Sequence, residues 1–181
     1  MIALITSFDQ QVLQYLFAHR DVATTLSFIN ISELGSTIFV VGIGIIIGLL
    51  LLLRRNIPLA TSFAVSIIGG GAAALVLKEV VRRARPDAIY QAYLETGYSF
   101  PSGHATLAAA LYGSLMYLAW HTIPSRAGRI VAILVLAVVI GLIAFSRLYL
   151  GVHYVSDVLG GLVLGGGFAW LGNRVSHRMR R

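Results

Sequence analysis

The sequence predicts an all-α fold: a polytopic membrane helical bundle of about five transmembrane helices, preceded by an N-terminal amphipathic helix. Composition is the first reason, because 57% of the 181 residues are hydrophobic and only 12% are charged, whereas an average soluble domain has about 25% charged residues. The second reason is that the uncharged residues are collected in long runs. An ordinary water-soluble globule and a disordered chain are both excluded.

Five runs supply the predicted transmembrane helices, each close to the length of about 20 residues that crosses a bilayer. They lie near residues 34–53, 56–78, 103–121, 129–146 and 155–173. The last three are slightly short unless their polar ends are included, and those ends carry the candidate functional residues. Since no repeat, linker or low-complexity tract divides the chain, residues 1–181 are predicted to form a single membrane domain.

Residues 1–33, before the first run, are predicted to form an amphipathic interfacial segment. The Ser-Phe-Asp-Gln sequence at residues 7–10 is typical of a capping box. Apolar side chains follow at helical spacing, with polar residues between them. Amphipathicity alone leaves two interpretations open: a helix that lies on the outer membrane surface, or a short packing helix inside the fold.

The distribution of charge predicts the orientation in the membrane. Net charge is +7, from 14 Lys and Arg against 7 Asp and Glu. Eight of the cations lie in the 54–56 turn, the 121–129 loop and the tail after residue 173, whereas the other six and all seven acids lie on the opposite side. The positive-inside rule therefore predicts a multi-pass cell-membrane protein with a cytoplasmic C-terminus and an extracytoplasmic N-terminus. A basic charge that is split across two membrane faces argues against a nucleic-acid partner.

Small residues recur within the predicted spans. Gly44 and Gly48, and Gly161 and Gly165, have the GxxxG spacing that allows membrane helices to approach closely. Packing inside the bundle is the favoured use, with a dimer interface as the alternative, so an oligomer stays open.

Three polar clusters lie at the predicted outer ends of the spans. Lys78 to Arg85-Pro86 follows the second span, Pro101-Ser102-Gly103-His104 opens the third, and Ser146-Arg147 with His153 and Asp157 joins the fourth to the fifth. By the topology above, all three meet at one membrane surface.

The first property of these clusters is that they could bind phosphate. Lys78, Arg85 and Arg147 place three cations at the membrane boundary with too few acids to pair them, which is costly unless an anion binds. Arginine forks suit phosphate oxygens, and lysine adds a point charge. A helix that opens with Ser102 and Gly103 after a proline also presents free backbone N–H groups to an anion.

The second property is catalytic. His153 and Asp157 are four residues apart, so they share a face if a helix begins near His153. A carboxylate bonded to one ring nitrogen fixes the tautomer and raises the basicity of the other nitrogen. His153 is then a candidate nucleophile that would form a phosphohistidine, and His104 is a candidate general acid for the leaving group. The residues alone do not decide which of the two histidines is the nucleophile.

Other polar residues are interpreted as structural residues or as surface residues. Arg82 and Arg83 are expected at the surface or against lipid headgroups, and the remaining histidines at the surface: His19, His121 and His177. The tyrosines of the 87–99 segment are either interfacial belt residues or selectors of the headgroup. No metal or cofactor is expected, since two histidines and one acid among three cations suit a dication poorly. The absence of cysteine also excludes thiol catalysis and Cys-based metal sites.

At these residues the sequence resembles the type 2 phosphatidic acid phosphatase superfamily of membrane lipid phosphatases. That family carries three ordered motifs: Lys, six residues, Arg-Pro; Pro-Ser-Gly-His; and Ser-Arg, five residues, His, three residues, Asp. Every fixed position and spacing matches at residues 78–86, 101–104 and 146–157. The resemblance extends over nearly the whole chain. Many bacterial members have six spans, with one more helix before the amphipathic segment. This chain is expected to lack that helix, and this departure from the family pattern leaves the lipid-entry surface and the oligomeric state open.

The resemblance implies a metal-independent phosphohydrolase with an all-helical core. It assigns His153 as the nucleophile, Asp157 as its orienting partner and His104 as the acid for the leaving group. It assigns phosphate binding to a set of five residues and a supporting role to three more. The phosphate-binding residues are Lys78, Arg85, Ser102, Gly103 and Arg147, and the supporting residues are Pro86, Pro101 and Ser146.

A site at the outer leaflet predicts an amphiphilic lipid phosphate as substrate. The candidates are undecaprenyl diphosphate, phosphatidylglycerol phosphate, phosphatidic acid and lipid A phosphates, the first two being favoured. Three alternatives remain: a lipid phosphotransferase of the same family, a vanadate-dependent haloperoxidase, against which the apolar spans argue, and a non-catalytic carrier of anionic lipids. A carrier would need the cations but not the pair of His153 and Asp157.

Overall fold

The computed structural model describes residues 2–181, and the side chains of residues 6–181, as an all-α bundle. Eight α-helices follow one another: α1 (Ile2–Ala18), α2 (Val22–Glu33), α3 (Thr37–Leu53), α4 (Ile57–Ala64), α5 (Gly70–Val81), α6 (Gly103–Thr122), α7 (Arg126–Tyr149) and α8 (Val155–Met179). A π-helical turn, Val65–Gly69, joins α4 to α5, and a short 3-10 turn, Ala88–Tyr90, lies in the loop before α6. Residues 2–181 contain no β-strand, which confirms the predicted fold class.

Four helical stretches are long and apolar enough to cross a membrane: Val22–Leu53, Ile57–Val81, Arg126–Tyr149 and Val155–Met179. They contain four of the five predicted spans. The remaining one, α6, is not among the four, so the count of about five is not confirmed. The reason is its position: α6 packs against α3, α4, α5, α7 and α8. A helix surrounded by protein needs small residues for close packing, and its hydropathy is correspondingly low.

The predicted capping box at residues 7–10 is wrong. The helix that carries Ser7 begins at Ile2, so this serine lies inside α1 and the capping box does not form. Residues 22–33 form a separate helix, α2, which leads into α3 across a break of only three residues. Near the end of α2, Ser32 is buried and bonds to Arg147 of α7.

One face of α1 lies against the bundle. This helix packs against α7 and α8. Its Asp9 and Leu13 are only 1% and 3% exposed, whereas Phe8 and Tyr15 on the other side are 54% and 64% exposed. The acidic residue of α1 thus faces the protein, whereas Phe8 and Tyr15 face outward.

Glycines of α8 allow its close approach to α6. A Cβ added to Gly161 would lie 2.6 Å from the carbonyl oxygen of Ser102, and one added to Gly165 would overlap the carbonyl oxygen of Thr106. This GxxxG pair is therefore used inside the bundle, as favoured from the sequence.

The bundle has two distinct ends. At one end, Gly35 lies against His104, beside the starts of α3 and α6. At the other, Ser62 donates a hydrogen bond to the side-chain oxygen of Asn173, near the start of α4 and the end of α8. The three polar clusters all lie at the first end, as predicted.

Candidate active site

A buried serine connects the histidine and the carboxylate that the sequence paired. His153 precedes α8, which begins at Val155, and Asp157 lies in the first turn of that helix. The Nδ1 atom of His153 is 3.6 Å from the Oδ2 atom of Asp157, which is too long for a hydrogen bond. Ser99 lies between them: its hydroxyl donates to Oδ2 at 2.5 Å and is 3.3 Å from Nδ1. The expected direct bond is therefore replaced by a bridge.

The tautomer of His153 follows from its other contact. The Nη1 atom of Arg85 is 3.2 Å from Nε2 of His153. Because a guanidinium can only donate, Nε2 must accept, and the ring proton lies on Nδ1, toward Ser99. The lone pair of Nε2 therefore points toward the cationic side of the site.

Asp157 also joins the site to the N-terminal helix through Arg83. The Nη1 atom of Arg83 donates to Oδ1 of Asp157 at 2.6 Å, and its Nη2 atom donates to Asp9 of α1 at 2.7 Å. Ser156 binds the same Asp9 carboxylate through its N–H and hydroxyl groups, at 3.0 and 2.5 Å. The prediction that Arg83 is a surface or headgroup contact is wrong. Its neighbour Arg82 caps α5 in the left-handed region (φ 48°), and the chain reversal leaves Arg82 exposed and turns Arg83 inward.

Arg85 and Arg147 are buried and share one carboxylate. Arg85 is 8% exposed and Arg147 is 0% exposed. Arg85 donates to one oxygen of Glu95 at 3.2 Å, and Arg147 pairs with the other oxygen. Glu95 therefore lies between the two arginines, and it is the one acid that pairs with them in the described part of the chain. Arg147 also donates to the hydroxyls of Ser32 and Tyr93, at 2.5 and 2.6 Å.

A cavity of about 750 Å³ leads to this group of charges. Its polar end contains Lys78, Arg85, Glu95, Gly103 and His104. The rest of its lining is apolar and comes from α3, α4, the π-helical turn, α5 and α6. Lys78 donates to the carbonyl oxygen of Tyr98 at 2.5 Å, which holds its ammonium group beside the loop that carries Glu95. An apolar chain could occupy the long part of this cavity while a headgroup reached the charges.

The start of α6 is only partly available to an anion. The backbone N–H of Ser102 donates to the carbonyl oxygen of Asp157 at 3.0 Å, so the expectation that it is free is wrong. The Oγ atom of Ser102 is buried and has no hydrogen-bond partner. Gly103 and His104 occupy the first two helical positions, where backbone N–H groups lack intrahelical acceptors.

The three supporting residues are buried. Pro86 accepts a hydrogen bond from the side chain of Gln91 at 2.7 Å. Pro101 follows a cis peptide bond that joins it to Phe100. The hydroxyl of Ser146 donates to the carbonyl oxygen of Ile143 within α7, at 2.7 Å.

Burial and charge set the ionisation of the groups in the loops. Burial lowers the pKa of His153 to about 4, and the nearby Arg147 and Arg85 act in the same direction, against the contribution of Asp157. Burial alone would raise the pKa of Glu95, but the guanidiniums of Arg147 and Arg85 hold it below its ordinary value. At neutral pH the site therefore combines a neutral His153 with an ionised Glu95.

Sequence reasoning missed four contributors to the site. Glu95 had a usable signal, since it is the single acidic residue between Asp87 and Asp157. Ser99 lies two residues before a matched motif, and its hydroxyl type alone does not indicate a bridge. Asp9 and Ser32 lie in helices far away in sequence, and no local pattern marks them. Tyr93, for which the sequence left two interpretations open, accepts a hydrogen bond from Arg147 and is thus part of the site.

The chain is similar to known proteins in family, sequence and structure. The family model of the PAP2 superfamily matches residues 59–181. Phosphatidylglycerophosphatase B of Bacillus subtilis is 45% identical over 94 residues, which cover 50% of this chain and 44% of that protein. An undecaprenyl-diphosphatase of Sulfolobus acidocaldarius is 34% identical over 134 residues, which cover 68% of this chain and 58% of that protein. The matched segments thus span roughly half of these relatives.

Two solved structures are similar to this chain. The transmembrane PAP2-type phosphatidylglycerolphosphate phosphatase from Bacillus subtilis superposes with a TM-score of 0.90 and 28% identity, covering 98% of this chain and 89% of that one. Aquifex aeolicus LpxE superposes with a TM-score of 0.71 and 18% identity, covering 92% and 94%, respectively. The second likeness concerns the fold alone.

Proposed function

The chain belongs to the PAP2 superfamily, and on this premise we propose that it is an integral membrane phosphohydrolase that removes the terminal phosphate of a lipid phosphate or diphosphate. One observation carries the proposal: the unprotonated Nε2 of a neutral His153 lies beside Arg85, and Arg85 lines the charged end of an apolar cavity. A nucleophile, an anion-binding group and a place for a lipid chain are thus combined.

In the proposed mechanism, Nε2 of His153 attacks phosphorus and the bond from phosphorus to the lipid oxygen breaks. His104 donates its proton to the departing oxygen, which leaves as a lipid alcohol or a lipid monophosphate. Ser99 and Asp157 stabilise the positive charge that develops on the His153 ring. Water then attacks the phosphohistidine while His104 takes its proton, the P–N bond breaks, and inorganic phosphate leaves.

Phosphate binding is assigned to the surrounding donors. Lys78, Arg85 and Arg147 would bind the phosphate oxygens, together with the backbone N–H of Gly103 and the unpartnered Oγ of Ser102. Charge develops on those oxygens in the transition state, so donors that are fixed beforehand lower the barrier without reorganisation. The Nε atom of Arg147, which is buried and lacks a hydrogen-bond partner, is a further donor of this kind.

The membrane arrangement belongs to the same proposal. Five spans are proposed, with α6 as the central one, the N-terminus and the site on the extracytoplasmic side, and the C-terminus in the cytoplasm of the cell. The apolar cavity favours substrates with long hydrocarbon chains, namely undecaprenyl diphosphate, phosphatidylglycerol phosphate and phosphatidic acid. The similar proteins described above include phosphatases of the first two lipids, which supports this order.

The chemical test is phosphate release by the purified protein in detergent, with EDTA present, across a panel of these lipid phosphates. We expect release from the wild type, no measurable release from His153→Ala, and wild-type release from His19→Ala. His19 is an exposed histidine whose ring bonds only to its own helix, so it controls for loss of an imidazole. Turnover that persists in His153→Ala would overturn the mechanism. A new phosphorylated lipid in place of free phosphate would instead identify a phosphotransferase.

The orientation can be tested with single cysteines, because the chain has none of its own. Leu94, on the loop beside the site, is 78% exposed, and Arg178 lies near the end of α8. In intact cells, a membrane-impermeant thiol reagent should label Leu94→Cys and should label Arg178→Cys only after permeabilisation. The reverse pattern would place the site in the cytoplasm.

A further inference from the structure

Glu95 lies between Arg85 and Arg147, where the proposed function would place a phosphate. Its two carboxylate oxygens pair with two different guanidiniums, those of Arg85 and Arg147. A phosphate with oxygens on both arginines would need the same space and the same donors. Resting on the proposed function, we propose that Glu95 is an internal stand-in for phosphate, which occupies the site in the free protein and leaves it when a terminal phosphate binds.

The charges of the site explain why a stand-in is needed. Arg85 and Arg147 have side chains that are 8% and 0% exposed. Buried cations without a partner are costly, and more so at the boundary of a membrane. Glu95 neutralises this positive charge while the site holds no substrate, so the arginines are kept in place before phosphate arrives.

The loop allows the carboxylate to move while its backbone stays fixed. Glu95 lies on an irregular segment, its side chain is 22% exposed, and it lines the cavity. Its backbone N–H donates to the side-chain oxygen of Gln91 at 3.0 Å, and the amide of Gln91 is anchored to Pro86 at 2.7 Å. Rotation of the Glu95 side chain toward the cavity therefore requires no movement of the main chain.

The arginines keep other partners when Glu95 leaves. Arg147 retains the hydroxyls of Ser32 and Tyr93. Arg85 retains the carbonyl oxygens of Val152 and Gly97, both at 3.0 Å. Both guanidiniums are thus held in position independently of the carboxylate, which makes an exchange of one anion for another possible.

Exchange with Glu95 selects among headgroups by charge. A phosphodiester headgroup carries one negative charge, like Glu95, and gains no electrostatic advantage by replacing it. A terminal phosphate carries about −1.5 to −2 at neutral pH and has three free oxygens, so it pairs more strongly with two guanidiniums. Glu95 therefore keeps the abundant phosphodiester lipids of the bilayer out of the site and admits terminal phosphates.

The test measures the binding of inorganic phosphate to the purified protein in detergent by calorimetry. Glu95→Gln keeps the shape of the side chain and removes its charge. We expect it to bind phosphate about tenfold more tightly than the wild type, a factor of the size expected for one charge-assisted bond. Micellar phosphatidylglycerol, a phosphodiester, should compete with phosphate for binding to Glu95→Gln and should leave phosphate binding by the wild type unaffected. Phosphate binding that is equal or weaker in Glu95→Gln would overturn the proposal.

Glu79→Gln is the matched control, because it removes the same charge at the same end of the protein. Glu79 forms an exposed pair with Arg82 at 3.6 Å and contacts no group of the site. We expect its phosphate affinity to equal that of the wild type. If Glu95→Gln fails to fold, Glu95→Asp provides the same measurement, since its shorter side chain cannot reach both arginines and should also bind phosphate more tightly.

This test can be distinguished from the test of the proposed function, because phosphate binding is measured without turnover. Lipid phosphate hydrolysis by the wild type together with unchanged phosphate affinity in Glu95→Gln and Glu95→Asp would overturn the role of Glu95 alone. Absence of hydrolysis from every lipid would overturn the proposed function.

Discussion

Replacement of Arg83 by glutamine should destabilise the fold far more than replacement of its neighbour Arg82. Arg83 bridges Asp9 of α1 and Asp157 of α8, and both carboxylates are essentially inaccessible, at 1% and 0% exposure. Arg82 pairs with Glu79, and both of those side chains are about two-thirds exposed. The two adjacent arginines thus provide the same change in charge in two different environments.

The magnitude follows from the burial. Loss of one partner of a buried ion pair costs about 3–5 kcal/mol, because the remaining charge is left uncompensated. Two features place Arg83→Gln near the lower limit: a quarter of its side chain is exposed, and both carboxylates keep hydrogen bonds from Ser156, Ser99 or Tyr154. We expect a loss of about 3 kcal/mol in the free energy of unfolding. For Arg82→Gln we expect a change within about 0.5 kcal/mol.

Unfolding by sodium dodecyl sulphate in mixed micelles, followed by circular dichroism, measures both changes. A double-mutant cycle with Asp9→Asn then isolates the contact between α1 and the site. We expect a coupling energy above about 1 kcal/mol between the substitutions at residues 9 and 83. Strictly additive losses, or a loss in Arg83→Gln no larger than that in Arg82→Gln, would refute the bridge.

Two further predictions concern the nucleophile and the helix packing. Because burial lowers the pKa of His153 to about 4, kcat/KM corrected for substrate ionisation should fall with unit slope below that pKa, as the imidazole is protonated, and an acid-side decline that begins above pH 6 would contradict this. Ser99→Ala should lower kcat about tenfold through loss of one positioning hydrogen bond, and an unchanged kcat would contradict the bridge. Gly165→Ala should destabilise the protein by about 1–3 kcal/mol through overpacking against Thr106, whereas Gly166→Ala, where an added Cβ meets nothing within 4 Å, serves as the control in the same unfolding assay.

The helices could be predicted from sequence wherever lipid contact determines composition. The predicted spans at 34–53, 56–78, 129–146 and 155–173 fall within helices that are apolar enough to cross a membrane. The prediction was less complete where contacts with protein determine composition. The Ala- and Ser-containing α6 is enclosed by other helices, and the polar face of α2 binds a buried arginine. The hydropathy of a helix indicates whether lipid or protein surrounds it, but does not identify the residues that it contacts.

The site, too, could be predicted only in part from the sequence. The motif spacings brought the expected histidines and cations to one end, because each cluster lies at the end of a helix whose length is fixed by the membrane. Individual partners could not be predicted, since they depend on angles between helices. Arg82 and Arg83 are adjacent in sequence, yet a left-handed residue at the end of α5 gives them opposite environments. The bridge made by Ser99 likewise depends on where an irregular loop meets α8.

The charges at the end of the bundle that carries the site also account for four of the six cations that, in the predicted orientation, oppose the positive-inside rule. Lys78, Arg83, Arg85 and Arg147 face the carboxylates of three acids: Asp9, Glu95 and Asp157. Arg83 is committed to two of these acids and stabilises the fold, so the remaining three cations share one displaceable carboxylate. Such a site is poised for a second negative charge that Glu95 cannot provide. A terminal phosphate provides it, and the excess of positive charge at this end of the bundle is therefore a consequence of the proposed chemistry.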